Sequence, residues 1–403
     1  MPYIKSLLDN DLYKITMQKA VLQHYPDAWV TYKFTNRNLN MKFNGAAYNA
    51  IVENIKAMAD LALTVNEFLY LKDYKFLDVG YLEYLRNYRF KPEQVTVKFL
   101  DGDLDIEIYG PWVETILWEV PLMAIISEAY FEHVDTEWSH IGYHTPRGTG
   151  RIWQEMYDYK TLDKAIQLKN MNDKFTDFGT RRRRSYETQD IVVKTFKESG
   201  VPNFFGTSNV HLAMKYGVRA VGTFAHELVM GVSALDGLRY ANKFALQKWQ
   251  ETYQGSLGYA LTDTFGTDAF FRDFNQLLAR VYDGVRHDSG CPFTFADRII
   301  DHYNKLGIDP TTKLIVFSDG LDVEKALAIS KHCAGRVRCS FGVGTFLTND
   351  FPNSKPLNMV IKLYDVNGIP VVKLSDSPSK ATGDKDALRV ALWTFNHKPL
   401  DAK

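Results

Sequence analysis

The chain has 403 residues, of which 45% are hydrophobic and 24% are charged, and its 48 basic residues balance 48 acidic ones. This length allows two domains, or one large barrel with a smaller partner, and the composition is that of an ordinary globular protein. With a formal net charge of +0, the chain has no overall field that would attract nucleic acid or an anionic membrane.

Neither the start of the chain nor its most apolar stretch has the pattern of a targeting or membrane segment. The sequence MPYIKSLLDNDLYKITMQKA contains no continuous apolar core of the signal-peptide type. The stretch ETILWEVPLMAIISEAYFEH contains Glu119, Pro121 and Glu128, which predicts a buried helix rather than a membrane span. The three cysteines form no CxxC pair and have no histidines at zinc-finger spacing, so we expect reduced thiols in a cytoplasmic protein.

Two different rhythms divide the chain into two predicted domains. Residues 1–140 combine helical patterns with alternating strands such as VTVKFL and LDIEIYG, and we predict an α+β sandwich domain there, joined by the C-terminal segment 366–403. Over residues 141–365, short apolar runs that end in Gly, Ser, Asp or Thr alternate with helical segments. This alternation predicts an irregular α/β barrel of about eight βα units, with MVIKLYDV as the last strand.

Polar or glycine residues follow three consecutive strands of the predicted barrel, in the motifs RHDSG, FSDGLD and FGVGT. They are Arg286, Asp288, Asp319, Gly320, Gly342, Gly344 and Thr345. Carboxylates so placed suit ribose hydroxyls or a Mg²⁺ shell, and glycine-rich turns offer backbone amides to a phosphate. Each turn alone is a common packing feature. Three in succession at strand ends, where parallel barrels carry their chemistry, indicate a binding site.

Four consecutive arginines follow a Phe-Gly turn in TDFGTRRRRS, residues 176–185. A solvated surface run, a nucleic-acid patch and an anion-binding wall of an active site are the alternatives. The balanced charge and the absence of a recognised reading module weigh against nucleic acid. Another candidate is His226 in GTFAHE, although a lone histidine at a strand end is more often structural. No Walker A, nucleophile-elbow, zincin or Rossmann motif accompanies it.

Eight motifs, in their order and rough spacing, resemble the nicotinate phosphoribosyltransferase family over nearly the whole chain. They are DLYKITM, FTDFGTRRR, GTSNV, GTFAHE, LTDTFGT, RHDSG, FSDGLD and FGVGT. The resemblance implies a homodimer with an irregular α/β barrel of the type II phosphoribosyltransferase kind and a second α/β sandwich domain. The implied reaction joins nicotinate and 5-phosphoribosyl 1-diphosphate into nicotinate mononucleotide, in NAD salvage. It implies Mg²⁺ as cofactor, and ATP hydrolysis coupled through a phosphohistidine.

The resemblance also assigns residues to the two faces of the base. It implies that Phe178 stacks on the pyridine ring and that Arg181 faces the ring substituent or the phosphates. It implies that Tyr13 reaches across the dimer to the other face of the ring. The later arginines of the run, Arg183 and Arg184, are expected to be solvated or paired at the surface.

The strand-end residues receive roles from the same resemblance. Arg286 and Asp288 are expected to line the base and the ribose, and Asp288 is counted among the catalytic residues. The expected contacts to the ribose and the 5′-phosphate are Asp319, Gly320, Gly342, Gly344 and Thr345. His226 matches the family's phosphorylated histidine, and Thr223 lies three residues before it, within reach of the base.

Three further assignments combine the resemblance with chemistry. A carboxylate usually orients a working histidine, so we expect Asp263 to hold His226. At the position of Ser208, amide-using relatives carry an aspartate; a neutral Ser208 would spare nicotinate a like-charge repulsion, or would simply cap the next helix. Lys380 is expected to be a mobile surface lysine rather than a phosphate contact. Direct ligands of Mg²⁺ remain unassigned.

Three alternatives to this function stay open from the sequence. A nicotinamide phosphoribosyltransferase would share the barrel and the strand-end motifs. A nucleic-acid-binding protein would use the arginine run, which the balanced charge disfavours. A catalytically inactive homologue is disfavoured because every motif is present.

Overall fold

The computed structural model of the chain describes residues 2–140, 152–169 and 171–396. The helices are α1 (Leu12–His24), α2 (Gly45–Ala57), α3 (Val65–Lys72), α4 (Val79–Asn87), α5 (Trp112–Thr115), α6 (Glu119–His133), α7 (Ile152–Lys169), α8 (Tyr186–Glu198), α9 (Val210–Tyr216), α10 (His226–Leu235), α11 (Ala241–Tyr253), α12 (Thr267–Asp273), α13 (Gln276–Val281), α14 (Pro292–Lys305), α15 (Val323–Cys333), α16 (Thr345–Thr348) and α17 (Lys385–Phe395). Within the described residues, every helix is too short or too polar to cross a membrane.

The strands form two separate sheets. They are β1 (Trp29–Asn36), β2 (Val95–Leu100), β3 (Asp103–Pro111), β4 (Lys174–Asp177), β5 (Phe204–Thr207), β6 (Arg219–Ala220), β7 (Tyr259–Leu261), β8 (Gly284–His287), β9 (Leu314–Phe317), β10 (Arg338–Val343), β11 (Met359–Val366) and β12 (Ile369–Pro370). The first sheet has the order β12-β11-β1-β3-β2, and each of its pairings is antiparallel. The second has the order β6-β5-β4-β10-β9-β8-β7 and is parallel throughout.

The parallel sheet curls into a half-barrel, which confirms the predicted α/β class. It has seven strands, whereas about eight were expected from the alternation. Among the described residues, β6 and β7 do not pair, so the barrel is open between them. Both edge strands are very short, which leaves little backbone for a closing ladder.

The expected eighth barrel strand, MVIKLYDV, is instead β11 of the antiparallel sheet, so that prediction is wrong. Its pairings run from Val30 with Val366 to Asn36 with Met359, which covers β1 except for its first residue. An apolar run reveals its strand character but not its partner, and β1 offers a run of equal length. The predicted domain boundary at residues 365 and 366 therefore falls inside a strand.

The long apolar stretch near residue 120 is the buried helix that the sequence predicts. In α6, all residues from Glu119 to Ser127 are buried, and the helix packs against α2 and against the turn of the arginine run. Because the helix is apolar on every side, it must be enclosed by neighbouring elements. It therefore ties the antiparallel sheet to the half-barrel.

The start of the chain lies over the carboxyl ends of the barrel strands. Asp11 forms an isolated antiparallel bridge with Asn209, and the Leu12 amide donates to the Ser208 carbonyl at 2.8 Å. Gly222 lies so close to this segment that an added Cβ would be 2.8 Å from the backbone nitrogen of Tyr13. Residues of the first domain therefore reach the end of the barrel where its chemistry is expected.

Candidate active site

A cavity of about 830 Å³ is lined by strands of the half-barrel and by residues that follow their carboxyl ends. It brings together many of the residues singled out in the sequence, which come from separate elements of both domains. They are Tyr13, Phe178, Arg181, Ser208, Thr223, Arg286 and Gly342. The cavity also extends past the amino ends of the strands, where Lys174 and Tyr259 line it. A pocket of this size, with aromatic and charged walls, is the best candidate for a substrate site.

Phe178 projects into the cavity from the turn after β4. Its backbone amide donates to the Val343 carbonyl at 2.8 Å. An added Cβ on Gly342 would lie 2.2 Å from a carbon of the Phe178 ring, so only glycine fits beneath this ring. Gly342 thus supports the aromatic wall, a packing role that the sequence did not indicate.

A buried carboxylate fixes the turn that carries Phe178. Asp177 accepts from the Gly179 amide at 2.8 Å, from the Thr207 hydroxyl at 2.7 Å and from the Gln189 amide at 2.8 Å. Burial raises the pKa of Asp177 to about 6, although these three donors act in the opposite direction. The turn is therefore held from three elements, which keeps the aromatic ring in one position.

The four arginines point in different directions because the chain turns through a 3₁₀ helix at Thr180–Arg182. Arg181 faces the cavity, with its guanidinium 3.4 Å from Glu119 and its side chain 37% exposed. Arg182 donates twice to the Met359 carbonyl, at 3.0 and 2.6 Å, and so links the half-barrel to β11. Arg181 is thus the member of the run that can meet an anion in the cavity.

The expectation that Arg183 and Arg184 lie at the surface is wrong, since both side chains are fully buried. Arg183 makes a bidentate ion pair with Asp9, at 2.7 and 2.8 Å. Arg184 stacks over the Phe131 ring at 3.7 Å and donates to the Ser354 hydroxyl at 2.5 Å. The tight turn directs these long side chains into the core, where buried acceptors and aromatic faces hold the guanidinium groups, although both Nε atoms are buried without a hydrogen-bond partner among the described residues.

A buried charge cluster lies behind Tyr13 and Arg181, and no sequence pattern indicated it. Lys14 lies 2.7 Å from Glu119 and also pairs with Glu227, and all three side chains are buried. Burial opposes ionisation of Glu119, but the nearby charges of Lys14 and other cations lower its pKa to about 2. Glu119 therefore stays ionised and balances the charge of Arg181 on the cavity wall.

His226 begins α10, and its imidazole meets Asp263, which follows β7. The Nε2 atom lies 2.8 Å from an Asp263 oxygen and 3.7 Å from an Asp288 oxygen. The second oxygen of Asp263 accepts from the Ser289 hydroxyl at 2.6 Å and lies 3.3 Å from the Lys373 ammonium. The contact between Asp263 and His226 that we expected is therefore present, and the orienting role of Asp263 stays a prediction.

The imidazole of His226 is neutral at physiological pH. Burial, followed by the charge of Lys373, lowers the pKa of His226 to about 4, although Asp263 favours the charged form. With the Nε2 proton directed at Asp263, the Nδ1 atom retains its lone pair. The residue is thus arranged as a nucleophile or base.

Arg286 and Asp288 form a connected pair beside His226. Arg286 donates to Asp288 at 3.2 Å and to the Ser318 hydroxyl at 2.9 Å, and Ser318 donates to the same Asp288 oxygen at 2.8 Å. Burial opposes ionisation of Asp288, but the Arg286 guanidinium holds its pKa well below the ordinary value. A fixed negative charge therefore lies close to His226.

Lys380 joins two strand ends and is not the mobile surface lysine that was expected. Its ammonium lies 2.5 Å from an Asp319 oxygen and donates to the Asp288 carbonyl at 3.3 Å. Gly320 has a φ of +53°, a left-handed conformation that glycine adopts without strain. Gly344 and Thr345 start the short helix α16, after β10. The predicted ribose and phosphate residues thus lie along neighbouring strand ends.

Of the two predictions made for Ser208, helix capping is wrong, and the role toward nicotinate stays a prediction. Ser208 does not cap α9, because the side chain of Asn209 accepts from the Leu212 amide at 3.0 Å and fills that role. The Ser208 hydroxyl instead bonds to an Asp11 oxygen at 2.7 Å. A carboxyl group therefore lies next to Ser208 after all, supplied by the start of the chain.

Sequence reasoning missed several polar residues of the site, although the motifs contained some of them. Asp11 is the first letter of DLYKITM, and Lys373 is the first letter of the KLSDSPSK segment. Asp11 lies two positions before Tyr13, and Lys373 lies seven positions before Lys380. The side chains of Asp11 and Lys373 face the site only because the sandwich domain packs over the barrel, which no local pattern encodes.

Comparison with known proteins matches the chain over nearly its whole length. The family model described as the nicotinate phosphoribosyltransferase (NAPRTase) family matches residues 174–398, and that of the NAPRTase N-terminal domain matches residues 8–127. A nicotinate phosphoribosyltransferase of Methanosarcina mazei is 51% identical, covering 99% of this chain and 100% of its own.

Solved structures give the same result. The crystal structure of nicotinate phosphoribosyltransferase from Porphyromonas gingivalis has a TM-score of 0.91 and 37% identity, over 98% of this chain and 100% of that one. That of a putative nicotinate phosphoribosyltransferase from Saccharomyces cerevisiae has a TM-score of 0.92 and 38% identity, with 99% of each chain covered. The chain belongs to the nicotinate phosphoribosyltransferase family.

Proposed function

We propose that this chain transfers the phosphoribosyl group of 5-phosphoribosyl 1-diphosphate to nicotinate, with ATP hydrolysis coupled through phosphorylation of His226. The observation that carries the proposal is a cavity lined by the Phe178 ring, by the partly exposed Arg181 and by Arg286, whose partner Asp288 lies 3.7 Å from the buried imidazole of His226. Relatives of high identity over the full length bear the name of this activity.

The base site is built from Phe178 and Arg181. The Phe178 ring offers a flat apolar face for a pyridine ring, and Gly342 fixes that face from below. Arg181 lines the same cavity and supplies a charge-assisted donor for a carboxylate or a phosphate. Tyr13 of the same chain also lines the cavity. Its predicted role across a homodimer interface remains part of the proposal.

The phosphoryl step uses the lone pair on Nδ1 of His226. This nitrogen attacks the γ-phosphorus of ATP, so that a P–N bond forms while the bond from phosphorus to the bridging oxygen breaks and ADP departs. The Nε2 proton stays with the imidazole and is held by Asp263, which stabilises the positive charge on the ring. The pKa of about 4 means that no proton must first be removed at neutral pH.

The transfer step places the ring nitrogen of nicotinate against the anomeric carbon of the ribose. A C–N bond forms as the bond to diphosphate breaks, and the carbon passes through an oxocarbenium-like state. The ionised Asp288 lies at the adjoining strand end and can stabilise that positive charge. Asp319, Gly320, Gly344 and Thr345 occupy the neighbouring strand ends, where the ribose and the 5′-phosphate would lie.

Mg²⁺ fits this site as an ion carried largely by the phosphates. Among the described residues, His226, Asp263 and Asp288 offer ligand atoms within 4.8 Å of one another. Asp263 already contacts His226, Ser289 and Lys373. The Asp288 oxygen that contacts neither Arg286 nor Ser318 is therefore the suitable hard ligand. When bound, the ion neutralises charge on the diphosphate leaving group.

We also propose that the protein is a homodimer in the cytoplasm.

The structure argues against nucleic-acid binding by the arginine run. Two of the four arginines are buried, so the run does not form a basic surface for nucleic acid. The choice between nicotinate and nicotinamide is settled by assaying the purified protein with each base, with and without ATP. The proposal expects nicotinate turnover that ATP stimulates. Turnover of nicotinamide alone, or none with either base, would contradict it.

A further inference from the structure

Asp11 and Ser208 form a buried hydrogen-bonded pair on the wall of the base site. Their side chains approach to 2.7 Å, and only 2% of Asp11 and 3% of Ser208 is exposed. Both residues line the same cavity as Phe178. Neither is explained by helix capping, since Asp11 makes no side-chain cap to α1 and Asn209 caps α9.

The surroundings of Asp11 do not commit it to the ionised state. Its neighbours are the Thr180 hydroxyl, the positive Arg181 and the negative Glu119, and it in turn acts on the buried Asp177 and Tyr13. Arg181 is itself paired with Glu119. Burial outweighs the stabilising contacts and raises the pKa of Asp11 above its ordinary value. By contrast, the nearby Asp9 is held ionised by a bidentate arginine.

The protonation state of Asp11 decides what Ser208 can offer to a ligand. A serine hydroxyl has one proton to donate. If Asp11 is ionised, that proton goes to Asp11, and Ser208 presents only acceptor lone pairs to the cavity. If Asp11 is protonated, it donates to the Ser208 oxygen, and the hydroxyl proton is released for a donor bond into the cavity.

We propose that the Asp11–Ser208 pair selects the carboxylate form of the base, because Asp11 carries a proton in the nicotinate complex and so lets Ser208 donate to the ligand. The inference rests on the proposed function. The proton comes from solvent when nicotinate binds and returns to solvent when the ligand leaves. A neutral Asp11 also removes the like-charge repulsion that an ionised carboxylate would exert on nicotinate.

The first test compares the wild type with Asp11→Asn, whose amide donates to Ser208 at every pH. In the wild type, the KM for nicotinate should rise by up to about tenfold per pH unit once free Asp11 is ionised. Calorimetry in buffers of different ionisation enthalpy should show proton uptake over the same pH range. In Asp11→Asn both effects should vanish. The matched control is Asp158→Asn, which alters a carboxylate bonded to the Thr195 hydroxyl outside the cavity.

The second test needs no substitution of Asp11. Difference infrared spectra of the wild-type nicotinate complex should contain a protonated-carboxyl C=O band, and Ser208→Ala should shift it. Carboxyl-¹³C nicotinate should leave the band in place. A missing band, a band that follows the ¹³C label, or equal proton uptake in wild type and Asp11→Asn would overturn the inference. Absence of nicotinate turnover in the wild type would instead overturn the proposed function.

Discussion

Replacing Arg183 with methionine should destabilise the fold by about 3–5 kcal/mol, the usual cost of breaking a buried ion pair on one side. The side chains of Arg183 and Asp9 are both 0% exposed, so the loss leaves the Asp9 carboxylate buried without its countercharge. Unfolding entropy is roughly 2.1 cal/mol/K per residue, which for 403 residues gives about 0.85 kcal/mol/K. The Tm should therefore fall by about 4–6 °C.

Thermal unfolding of three variants and one control tests this value. Asp9→Leu alone should cost a similar amount, while Arg183→Met combined with Asp9→Leu should cost far less than the sum, because no lone charge remains. Arg298→Met is the control, since it removes an exposed arginine paired with Asp268 and should cost at most about 1 kcal/mol.

The pH dependence has a definite sign. Arg183 lowers the pKa of Asp9 against the effect of burial, so the pair stabilises the fold above the ordinary aspartate pKa of about 3.9. That contribution is lost as the pH falls through the lower pKa of the folded state. The difference in Tm between wild type and Arg183→Met should therefore become smaller at acid pH. A Tm for Arg183→Met within about 1 °C of the wild type at neutral pH would show that the Asp9–Arg183 pair does not stabilise the fold to this extent.

Three further predictions concern the same region and the histidine. Arg184→Met should cost about 2–4 kcal/mol in unfolding free energy, from a lost charged hydrogen bond and the lost contact with Phe131, yet leave the KM for nicotinate unchanged in the folded enzyme. In initial-rate assays, Phe178→Ala should raise the KM for nicotinate, because stacking worth roughly 0.5–1.5 kcal/mol is lost. Arg181→Ala should raise the KM more, because it removes a charged hydrogen bond worth about 1.5–3 kcal/mol. Because the pKa of His226 is about 4, ATP-dependent phosphorylation should persist from pH 8 to pH 5 and decline only as the pH approaches 4, as a stopped labelling assay would show.

Motifs and periodicity predicted the barrel class and singled out residues that the fold brings to neighbouring strand ends, for identifiable reasons. The seven parallel strands end in the polar motifs quoted above, and parallel strands bring such ends together at one edge. The pairing of His226 with Asp263 was foreseen from the need of a working histidine for a carboxylate.

The sequence could not show the directions of side chains or the contacts between residues far apart along the chain. The 3₁₀ turn at Thr180–Arg182 decides which arginines enter the core, and a run of identical letters carries no such information. Likewise, β11 pairs with β1 rather than with a barrel strand, and its own apolar run does not specify that partner. The contact between Asp11 and Ser208 joins residues 197 positions apart, which only the packed domains reveal.

Labelling with γ-labelled ATP tests directly whether His226 carries the phosphoryl group from ATP. The wild type should acquire label in an acid-labile, base-stable adduct, whereas His226→Ala should acquire none and should lose the ATP stimulation of nicotinate turnover. His332→Ala is the matched control, because His332 also pairs with a carboxylate, Asp297 at 2.9 Å, but lies in the last turn of α15. It should label like the wild type. Equal labelling of His226→Ala and the wild type would contradict phosphorylation of His226.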